Sequence, residues 1–115
     1  MIRTTILAAA AVLTLAAAPA QAKPAKQNAE GASFLLGVLA FSKANCPELR
    51  NNNMAFREWM RTFGYNPSKL PHSLDARALE HYAELEKGDR ATVCRGMWGQ
   101  LGPTGHEFPD LVLHN

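Results

Sequence analysis

Apolar residues in this chain recur at helical spacing in four separate segments. In "SFLLGVLAFSKAN", Phe34, Leu35, Val38, Leu39 and Phe41 fall mostly on one side, with Ser33 as the start. Pro47, in "NCPEL", cannot continue an incoming helix but suits a new first turn. After "NNN", with Asn53 as N-cap, Phe56, Trp59, Met60 and Phe63 repeat the i, i+3, i+4, i+7 pattern. Gly64 then stands where a left-handed cap is wanted. A turn-rich connection, "YNPSKLPHS", leads to a third stripe of Leu74, Ala78, Tyr82 and Leu85, supported by Leu79 and capped by Ser73. Gly88 stops that helix, and Asp89 caps a fourth in which Cys94, Met97, Trp98 and Leu101 share a face until Gly102 and Pro103 end it.

These patterns predict an all-α fold: a small bundle of about four short helices over residues 33–105. Its expected core is Phe34, Leu35, Val38, Leu39, Phe56, Trp59, Met60, Phe63, Leu74, Leu79, Tyr82, Leu85, Met97, Trp98 and Leu101. The tail, residues 106–115, is the one place with extended character, through Phe108, Leu111, Val112 and Leu113. It is expected to wrap over its own domain, with a partner-binding peptide as the alternative. Gly96 and Gly99 sit inside the fourth helix and share a side, which suggests close packing of a neighbour or, alternatively, a ligand contact.

The amino terminus changes the picture from a cytosolic helical domain to an exported one. Arg3, the apolar run Ile6–Leu15 and "AQA" at Ala20–Ala22 read as a signal peptide over residues 1–22, cleaved after Ala22. The run is too short to span a bilayer, and no second one follows. Residues 23–32, polar and without period, read as a flexible leader. Removing 22 of 115 residues leaves 93, enough for one small domain. It also removes Arg3, so the mature charge is 11 basic minus 10 acidic, or +1. That balance argues against a general nucleic-acid binder and gives no reason to expect adhesion to an anionic membrane. The expected location is the periplasm or beyond. There Cys46 and Cys94, the two cysteines of the chain, should pair and close a loop of 48 residues.

Catalytic signatures are missing. The chain has no Gly-x-Ser-x-Gly elbow, phosphate-cradling glycine loop, His-Glu-x-x-His, Cys-x-x-Cys or EF-hand pattern. Cys94 has no histidine near it in sequence to activate it. Three weaker constellations remain. Glu80, His81 and Glu84 can share one helix face and approach a metal ion, although Arg77 and Lys87 explain them equally as a salt-paired face. His72, His81, His106 and His114 lack paired-ligand spacing and read as surface residues open to protonation, with copper or zinc binding as the alternative if the fold gathers them. Arg57 and Arg61, one turn apart, offer an anion or partner contact, against an ordinary charged face with Glu58.

The separation of Cys46 and Cys94, with the signal and the small size, resembles that of the periplasmic acid-stress chaperones of the HdeA type. Those proteins are also short, helical and single-bridged. The flanking residues "KANCPEL" and "ATVCRGM" do not match that family, so the likeness is one of architecture and carries over no functional residue. The resulting expectation is a non-enzymatic periplasmic binding or interaction protein with a protein partner, chaperone-like or an accessory factor. The alternative is a small-ligand or metal-binding protein using the Glu80/His81/Glu84 face; no cofactor is required by the sequence, and a metal ion is the one candidate.

Overall fold

The computed structural model of the chain describes residues 26–115. The signal segment expected over residues 1–22, and the first residues of the leader, lie outside the described residues. Four helices occur among those described: α1 (Ala29–Asn45), α2 (Asn53–Thr62), α3 (Asp75–Glu86) and α4 (Arg90–Leu101). Two short strands accompany them. β1 (Leu49–Asn51) pairs antiparallel with β2 (Val112–His114), Leu49 opposite His114 and Asn51 opposite Val112. The purely helical expectation is corrected to a helical domain with this ribbon, which residues after Pro47 form in place of a helical turn.

Local chemistry sets the boundaries. α1 begins at Ala29, ahead of Ser33, because the Asn28 side chain accepts the Gly31 N–H at 2.9 Å and supplies the N-cap. Residues 29–32 are therefore helix and not leader, and Ala32 is fully buried. Asn52 caps α2 one residue before the expected Asn53, and Gly64 (φ 91°) takes the left-handed turn after it. A 3-10 turn at His72–Leu74, not a Ser73 side-chain cap, leads into α3. Asp89 caps α4 as its position predicts, accepting from the Thr92 N–H at 3.0 Å. That bond foremost, and a second from the Thr92 hydroxyl at 2.9 Å, hold its carboxyl below the ordinary carboxylate value.

α1 is apolar on several sides and runs through the centre of the core. Leu35, Val38, Leu39 and Phe41 share one core with Met60 and Phe63 of the α2 region, Leu74, and Met97 and Leu101 of α4. α1 packs most extensively on α3, and Gly37 makes that approach possible. A Cβ there would lie 2.5 Å from the Ala78 carbonyl oxygen and 2.8 Å from the His81 Cβ. Leu79 departs from its expected core role: it points to solvent and is 68% exposed. It lies one position off the inward stripe of Ala78, Tyr82 and Leu85, about 100° around the helix.

The tail belongs to the core. Leu111 and Val112 are fully buried, and the ladder is extended by Asn52 N–H to Leu111 O (2.9 Å) and Asn115 N–H to Glu48 O (3.0 Å). Cys46, after α1, and Cys94, in α4, form the expected disulfide, with Cα atoms 5.7 Å apart and both residues buried.

Candidate functional site

The acidic helix face resolves into pairs. The Glu30 carboxylate, in the first turn of α1, accepts hydrogen bonds from Arg77 and lies 2.9 Å from His81 Nε2. Arg77 also donates to Glu80 Oε1 at 2.8 Å, and Lys87 donates to Glu84 Oε2 at 2.9 Å. Glu80, His81 and Glu84 thus face three separate partners, and Glu30 was invisible to the helix-face argument because it comes from another element. Among the described residues no three His, Cys, Asp or Glu side chains converge as a metal ion needs. The Arg77 hydrogen bond, foremost among several causes, holds the Glu30 carboxyl below its ordinary value. The Lys87 hydrogen bond does the same for Glu84.

Arg57 and Arg61 are exposed on α2, and Arg57 donates to Ser68 Oγ at 3.2 Å. The histidines are not gathered: His72 pairs with Asp75 at 3.2 Å, His81 meets Glu30, and the His114 ring lies 3.7 Å from Trp98. His106 lines a cleft at the end of α4, described next.

That cleft, of about 320 Å³, lies where the end of α4 meets the following loop. Backbone chemistry builds it. Gly102 ends α4 by donating its N–H to Trp98 O, and Gly105 folds the chain back by donating to Gly102 O at 3.0 Å. A Cβ at Gly105 would sit 2.0 Å from the Gln100 carbonyl oxygen, so the turn requires glycine. Asp110 adopts φ 65°, within the reach of an Asp side chain in a turn, and its N–H also reaches Gly102 O at 3.0 Å. Leu111 N–H then bonds Leu101 O at 2.7 Å, fixing residues 106–108 beside α4.

The walls are aromatic. Phe108 packs edge-on to Trp59 (ring centroids 4.8 Å apart) and Phe63 (6.1 Å), and is tilted against Phe34 (6.1 Å). Phe34 and Phe108 line the cleft, with Leu101 and Gly99 on the α4 side and Gln100, His106 and Glu107 as its polar groups. Gly96 and Gly99 are exposed, and an added Cβ on either would meet nothing within 4 Å. The close-packing role expected for them is therefore corrected: among the described residues no element packs there. Sequence reasoning marked Gly99 and Phe108 separately, but nothing in a linear reading joins residues 34, 99 and 108.

No protein-family model matches the chain, and no curated protein or solved structure is significantly similar to it.

Proposed function

We propose that the chain is an exported, non-enzymatic binding protein that receives a segment of a protein partner along α4. An apolar side chain of that partner enters between Phe34 and Phe108. The observation that carries this reading is the open space over Gly96 and Gly99. Each interior glycine costs a helix about 1 kcal/mol relative to alanine, and no contact among the described residues offsets it. What glycine provides at such a position is close approach by another backbone. The adjoining cleft supplies an aromatic anchor point, with Gln100, His106 and Glu107 as hydrogen-bonding partners at hand. No hydroxyl or thiol nucleophile lines it beside His106 and Glu107, which supports binding over catalysis.

The test is site-specific photocrosslinking in the expressing cells. A photoreactive residue at Gln100 should give a discrete adduct that one at Lys69, exposed in the α2–α3 connection, does not. Indistinguishable crosslinking at the two positions contradicts the reading.

A further inference from the structure

A second surface lies along α1, α2 and α3, away from the cleft. Leu36 and Ala40 form a ridge between two hollows. One, of about 320 Å³, opens toward α3, where Asp75, Leu79 and Tyr82 line it. The other, of about 180 Å³, opens toward α2 and β1, with Leu39 and Lys43 of α1, Phe56 and Asn53 of α2 and Asn51 of β1 lining it. On α1, Leu36, Ala40 and Lys43 follow each other at i, i+4 and i+7, and on α3 so do Asp75, Leu79 and Tyr82. The strip therefore has an acidic end at Asp75, a basic end at Lys43, and an apolar middle. Leu79, at 68% exposure, projects from it, and only Met54 is a comparably exposed large apolar side chain among the described residues.

We infer that this strip is a self-association surface whose occupant is a second copy of the chain. An isologous two-fold contact lays a surface on itself with its ends reversed. With the axis near Leu36 and Ala40, the Leu79 of each copy enters the other's smaller hollow against Phe56 and Leu39. The same operation sets Asp75 opposite Lys43 twice over. His72, 3.2 Å from Asp75, is the other titratable group at the acidic end. The strip thus complements itself in shape, as one knob and one hollow, and in charge, as one acid and one base. This inference does not depend on the α4 cleft, which the contact leaves free.

Sedimentation velocity of the oxidised mature protein over a concentration series tests it. The expected result is a reversible monomer–dimer equilibrium that L79E abolishes. Leu79 is exposed, so that variant should retain its helical circular dichroism. Lys43→Asp and Asp75→Lys should each weaken dimerisation by roughly tenfold, because symmetry counts each reversed contact twice, and the double variant should recover it. A chain that stays monomeric at every concentration overturns the inference and leaves the strip to a different protein. A dimer indifferent to both L79E and the charge reversals overturns it equally.

Discussion

Gly37 and Gly96 are both interior helix glycines, and their surroundings demand opposite outcomes from one substitution. At Gly37 a methyl group would collide with the Ala78 carbonyl oxygen and the His81 Cβ, so Gly37→Ala must push α3 away from α1. A loss of about 1–3 kcal/mol is expected, the usual cost of overpacking. At Gly96 the methyl group enters open space, so Gly96→Ala should raise stability by about 0.5–1 kcal/mol through helix propensity alone. Denaturant melts of the two variants check both signs. Sequence spacing placed both glycines in helices but could not rank them. The difference lies in what stands 4 Å away, which for Gly37 is a residue 41 positions further along.

The α1–α3 seam carries one of the pH-sensitive ties. Glu30 faces Arg77 and His81 across it, with Glu80 sharing Arg77 from the same helix. Its carboxyl lies below the ordinary 4.5. A depressed carboxylate contributes stability that is present above the unfolded value and lost as pH falls through the folded one. The Glu30 tie should therefore weaken as pH falls below 4.5, giving a small decrease in melting temperature. Glu30→Gln should flatten that part of the melting-temperature profile, and an unchanged acid limb would show that the tie contributes nothing.

At this same scale the sequence was most readable. The stripes of α2 and α4, the Gly64 turn and the Asp89 cap all follow from local chemistry. β1 did not, because Leu49–Asn51 is three residues long and runs directly into Asn52 and Asn53, so no alternation develops. Its pairing partner lies more than 60 residues away, in a tail whose apolar run has no preferred period. Leu79 was misplaced because a stripe drawn on a helix of unknown neighbours can be widened by one residue without penalty.

Taken whole, the domain is a central helix held in a ring of short elements, closed by one covalent link. The Cys46–Cys94 bridge spans 48 residues and joins the end of α1 to the middle of α4, where Arg90 also donates to Asn45 O at 2.8 Å. Loop-closure entropy for that length is about 4 kcal/mol. Small domains hold about 5–15 kcal/mol in total. The Cys46→Ala/Cys94→Ala variant should thus melt far below the oxidised protein, and an unchanged melt would assign stability to packing alone. The four helices were legible from periodicity, and the bridge from the two cysteines of the chain. The cleft was not, since its walls come from α1, α4 and the loop before β2, and only the Gly102–Gly105 turn brings them together.

The most direct measurement takes Gly99→Leu through both stability and crosslinking from Gln100. The domain should melt no lower than the parent, because leucine favours the helix and the position faces open space. The Gln100 adduct should be lost, because the side chain occupies the path of the partner. An adduct that persists undiminished on a stably folded Gly99→Leu protein would contradict the proposal that α4 is where this chain binds.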